Sequence, residues 1–118
     1  MYKKISQDSV DAFLNKRPFN RENMTVADAS GISDNRWYLM LHGNIIAKMK
    51  EDGSIYISTC GWHTRTTLER LNCLLYTLGS GMRIRIHNFE PYIALSDGTK
   101  LPWADNIMVR YNTYMIWK

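Results

Sequence analysis

The sequence predicts an α+β fold: a mainly antiparallel sheet of about six or seven strands with two helices on one face. Three observations predict it. Trp37 to His42 alternates and leads through glycine-containing turns into Ile45–Lys50 and Ile55–Ser58, a three-strand meander. Leu68, Leu71, Leu75 and Leu78 fall at helical spacing. Met82 to His87 alternates again, with Ile84 and Ile86 expected inside and Arg83, Arg85 and His87 outside. With 118 residues, the chain is expected to form a single domain, 1–118, around one core.

Taken in order, Ser6 fits the N-cap of a first helix, with Ile5 stapled to Val10 and Asp8 in the first turn near the positive end of the dipole. Val10, Phe13 and Leu14 make its apolar stripe, and Pro18 stops it by Arg17. Residues 19–23 read as a loop and Met24–Ala29 as a short strand. Both faces of Arg36–His42 are largely apolar, so this strand is expected to be central and covered on both sides. Gly43-Asn44 is the expected hairpin turn. Thr66 and Glu69 form a capping box, which starts the second helix at about Thr67. Gly79 to Gly81 ends that helix. Tyr92–Leu95 is a strand, Ser96 to Gly98 a hairpin turn, and Lys100–Asp105 a loop holding Pro102-Trp103. Asn106–Trp117 is β-rich and would expose an edge unless it pairs.

Composition bounds the function. The net charge is +4 and the pI near 9.2. That admits an anionic partner but is short of a dense nucleic-acid-binding patch. Cys60 and Cys73 form no C-x-x-C pair and the three histidines are scattered, so no metal site and no cofactor are expected. The opening Met-Tyr-Lys-Lys has no apolar h-region behind it, and no apolar run reaches the ~18 residues of a membrane span. The thiols are expected to be free, in a reducing cytoplasm. Four tryptophans and seven tyrosines are many for this length, so some should lie at a surface that favours interfaces.

Candidate binding residues fall into three groups. Around residues 61–67, Trp62 offers a stacking face, Arg65 adds charge, and three threonines offer hydroxyls at a helix N-terminus, with His63 a further candidate contact. An anion would fit there; the plainer reading is that Thr66 caps the helix and Trp62 fills the core. Arg83, Arg85 and His87 make a basic strand face, with Tyr92 near, suited to a single strand of nucleic acid. The plainer reading is a solvated outer face. Tyr111 and Tyr114 lie in the C-terminal run. His42 could act as a base, and Cys60 beside His63 invites a thiol nucleophile, but adjacent residues seldom face each other and no orienting third group is evident. No enzymatic activity is expected.

Leu41-His-Gly-Asn-Ile-Ile-Ala and Gly61-Trp-His-Thr-Arg-Thr-Thr-Leu-Glu-Arg-Leu-Asn resemble motifs of a family of small phage and prophage proteins. Lys4-Ile-Ser-Gln, Ala12-Phe13, Phe19, Asn23, Asp97-Gly98 and Pro102-Trp103 fit the same pattern. The resemblance spans about Lys4 to Trp103. It implies a phage origin and a host-cell setting. Small phage accessory proteins often bind a host component and block restriction, CRISPR or other defence machinery. The leading expectation is therefore a phage accessory protein that binds and inhibits a host protein in the host cytoplasm. The alternative is a nucleic-acid-binding module using Trp62, Arg65, Arg83 and Arg85. A homodimer through paired C-terminal edges is a further expectation.

Overall fold

The computed structural model describes residues 2–109. Helix α1 spans Lys4–Leu14 and α2 spans Arg65–Thr77. The strands are β1 (Phe19–Arg21), β2 (Met24–Asp28), β3 (Asn35–Leu41), β4 (Asn44–Lys50), β5 (Ile55–Ile57), β6 (Met82–His87), β7 (Glu90–Leu95), β8 (Lys100–Pro102) and β9 (Ile107–Val109). All pairings are antiparallel, and the class is α+β. The strands divide between a six-stranded sheet, ordered β1-β2-β3-β4-β5-β9, and a three-stranded sheet, β6-β7-β8.

Period-two patterning places the core. Asn35, Trp37, Leu39 and Leu41 of β3 are buried, whereas Tyr38 and Met40 are half-buried. The second face of β3 is thus only partly covered, because both helices lie on the other side. Val10 and Phe13 of α1 and Leu71, Leu74 and Leu75 of α2 meet Val26, Leu39, Ile46, Ile55 and Ile57 in one cluster. Burying each such side chain contributes roughly 1.5–3 kcal/mol. Ile46 and Ala47 are consecutive and both buried. The register explains it: Leu39 pairs with Ala47 but Met40 with Ile45, so Ile46 is an extra, bulged residue.

Several local expectations shift. Leu41 pairs with Asn44, so the β3–β4 turn is His42-Gly43, with φ of 51° and 79°, and Asn44 already belongs to β4. The expected loop at 19–23 contains β1, joined to β2 through Glu22-Asn23. β7 starts at Glu90, and Lys100–Pro102 is a strand rather than a loop. The described part of the C-terminal run finds a partner: β9 pairs with β5 at the end of the large sheet.

The helix starts differ most. The N-cap of α1 is Lys3, with no side-chain cap, and Ser6 is buried inside the helix. Asp8 therefore sits beyond the first turn, where it pairs with Lys4 at 3.1 Å and Arg21 at 2.6 Å. The N-cap of α2 is Thr64, whose Oγ1 accepts the Thr67 N–H at 3.2 Å. Glu69 does not close a capping box on its own helix. Its Oε2 accepts the Lys3 N–H at 2.9 Å and its Oε1 accepts the Ser6 hydroxyl, so it caps the other helix.

Arg70, Leu71 and Asn72 then lock the elements together. Arg70, only 4% exposed, donates to Glu69 at 2.5 Å, Ser6 at 2.9 Å and the Asn23 side chain at 3.1 Å. Leu71 fills the core. Asn72 Nδ2 donates to the Ile84 carbonyl at 3.0 Å and its Oδ1 accepts the Ile84 N–H at 2.7 Å. That pair of bonds docks the small sheet on α2. No helix among the described residues is long and apolar enough to cross a membrane.

Candidate binding surfaces

Two surfaces stand out, one at each end of α2. The first is a cavity of about 440 Å3 between the β3–β4 turn and the α2 N-terminus, lined by Leu41, His42, Asn44, Ile46, Thr59, Trp62, Thr64, Thr66 and Thr67. The two central motifs of the sequence thus face each other across it. The wall is firmly held. Asp105 accepts from the Ser58 hydroxyl at 3.1 Å and the Thr59 N–H at 3.2 Å, and the Trp62 N–H bonds the Thr59 carbonyl at 2.9 Å. The turn between them passes through Cys60 and Gly61, both left-handed, with φ of 54° and 79°.

Trp62 is 58% exposed, so it forms a rim rather than a core plug. Thr64 takes the capping role expected of Thr66. The volume suits a small ligand. The lining offers one imidazole and no carboxylate, so it supplies no acid–base pair. His63 and Arg65 are exposed and lie outside this lining. The Cys60 thiol donates to the Ile45 carbonyl at 3.0 Å. His42 therefore reaches the cavity without Cys60 or His63 joining it.

The second surface is one face of the small sheet. Strand alternation and register put Arg83, Arg85 and His87 of β6 on the same side as Ala94, Tyr92 and Glu90 of β7 and Lys100 and Pro102 of β8. Arg83, Ala94 and Lys100 form one cross-strand row; Arg85, Tyr92 and Pro102 form the next. Lys100 Nζ sits 5.5 Å from the Tyr92 ring centroid. A groove of about 410 Å3 runs between this face and the C-terminal half of α2, and its lining includes Tyr2, Tyr76, Arg83 and Arg85. The Tyr2 and Tyr76 rings are 5.9 Å apart. Burial pushes the Tyr2 phenol above its ordinary pKa, and the nearby Arg83 charge pulls against that rise. Among the described residues, Arg83, Arg85 and Lys100 form no ion pair.

Arg83, Arg85 and His87 are exposed and share a face, as the alternation required. Of the two isoleucines expected inside, only Ile84 is buried; Ile86, close to the hairpin tip and past the cover of the core, is exposed. Trp62 lies at the other end of α2, so the candidates make two surfaces rather than one. Tyr111 and Tyr114 lie outside the described residues. The sequence reading missed Lys100, Tyr2 and Tyr76. Lys100 was within reach of a parity argument: the Ser96-to-Gly98 turn makes residues 92–95 and 99–102 partners, which returns Lys100 to the arginine face. Nothing local marked Tyr2 or Tyr76, which depend on how α2 docks.

No curated protein and no solved structure matches the chain. A family model described as Kyanoviridae Gp96 protein matches residues 2–111, nearly the whole length. The chain therefore belongs to the Kyanoviridae Gp96 protein family, a family of phage proteins.

Proposed function

We propose that this phage protein works by binding, without bond-breaking chemistry of its own, and that the small sheet holds single-stranded nucleic acid. The observation that supports this is the row geometry of Arg83, Arg85 and Lys100 beside Tyr92, with Tyr2 and Tyr76 along the adjoining groove. Three cations with no carboxylate partner among the described residues can each neutralise a phosphate, and aromatic rings between them can take bases without regard to sequence. Retardation of a labelled oligonucleotide across a salt series tests the reading. Binding should weaken with salt, and Arg83→Ala/Arg85→Ala should lower the log–log slope by about 1.4, near 0.7 per lost phosphate contact. Equal binding by that double variant would remove this face from consideration.

A second reading has its own support: the protein binds and inhibits a host protein of the defence-effector class. Trp62 at 58% exposure and Tyr76 at 72% are large, rigid surfaces of the kind that anchor interfaces. The phage family fits a host-directed role in the host cytoplasm. Capture from host lysate should then recover a stoichiometric partner that Trp62→Ala loses; recovery of none would count against it. The outer edge of β9, at the end of the large sheet, offers a route to a homodimer, which sedimentation would detect.

A further inference from the structure

The β6–β7 hairpin turns on Asn88 and Phe89, with φ of 52° and 65°, immediately after His87 pairs with Glu90. A two-residue turn of this hand needs left-handed backbone at both positions. Asn accepts it and Gly accepts it best. Phe is a poor occupant, because its Cβ crowds the backbone there. The fold gains nothing in return. Phe89 is 95% exposed and has no part in the hydrophobic core. A strained aromatic that packing does not need points to work outside the fold.

Its neighbours indicate which work. From the tip inward, the rows are His87 with Glu90, then Arg85 with Tyr92, then Arg83 with Ala94 and Lys100, whose Nζ reaches back to within 5.5 Å of the Tyr92 ring centroid. Glu90 is the one carboxylate within the three strands. A ring at the end of a mainly cationic face suits a polyanion with flat apolar units. We propose that Phe89 is the terminal stacking residue of the nucleic-acid track: the backbone lies along Arg83, Arg85 and Lys100, and a base closes against the Phe89 ring. This rests on the reading of the small sheet given above.

The test is fluorescence anisotropy with a labelled oligothymidylate over a salt series, for the native chain, Phe89→Gly, Phe89→Trp and Arg83→Ala/Arg85→Ala. Phe89→Gly should weaken binding about tenfold with an unchanged salt slope, since stacking carries no counterion release. It should also raise Tm by about 4 °C, because glycine relieves the turn. Phe89→Trp should bind as well as the native chain. If Phe89→Gly binds normally while the arginine variant loses salt slope, the stacking role is overturned and the sheet reading stands. If the native chain binds no oligonucleotide, both fall. A Phe89→Gly variant that loses binding only to phosphatidylglycerol vesicles would also overturn the role, as would a fall in Tm.

Discussion

Glu69 carries more of the fold than its half-buried position suggests. Burial alone would raise its pKa, but the hydrogen bonds from Ser6, the Lys3 N–H and Arg70 outweigh that and hold the carboxyl below its ordinary value. A carboxylate depressed in the folded state contributes stability in full above its unfolded pKa, near 4.3. That stability is lost as pH falls through the lower folded value. Glu69→Gln should therefore cost about 2 kcal/mol at neutral pH, measured by urea unfolding. The gap from the native chain should close on acidification below about pH 4. The cysteines divide by the same logic. Cys73 is fully buried and its thiol is pushed up to about 11 by burial and by Glu69, whereas Cys60 is exposed. A maleimide should modify Cys60 in the folded protein and reach Cys73 only after denaturation. Labelling of both in the native state would contradict the packing.

Among the elements, the strands were more legible than their ends. The alternation of Trp37–Leu41 survives into the structure because burial on one face leaves a period-two signal. That of Met82–His87 survives only as far as Ile84, since Ile86 lies near the hairpin tip and is 41% exposed. Caps lack that protection. Thr66-x-x-Glu69 satisfies the capping pattern, yet Glu69 is claimed by another helix, and Thr64 caps two residues earlier. Thr64→Ala should cost ~1 kcal/mol and Thr66→Ala under ~0.5 kcal/mol in thermal or urea unfolding. The reverse order would restore the capping box. Turn registers slipped for a related reason. His42-Gly43 rather than Gly43-Asn44 turns the β3–β4 hairpin, and the bulge at Ile46 that follows has no mark of its own in a run of apolar residues.

At the scale of the molecule, class and strand direction could be read from the chain, but the division into two sheets could not. Nothing in Ile84 announces that its backbone bonds a side chain on α2 rather than another strand. The cationic row shows the same limit: Arg83 and Arg85 declared themselves by alternation, while Tyr2 and Tyr76 join them only through the seating of α2 against β6. Asn72 is where that seating is set. Asn72→Leu keeps the branching of the side chain but strands both backbone groups of Ile84, which should cost ~2 kcal/mol in urea unfolding. The same carboxamide, with the Ser80 hydroxyl taking the Met82 N–H at 3.1 Å, occupies sites on β6 that another chain would otherwise seek. Asn72 is thus a guard against self-templating: once it is gone, the bared strand should recruit its own kind, and thioflavin fluorescence should climb in concentrated solutions of the leucine variant while native samples stay dark.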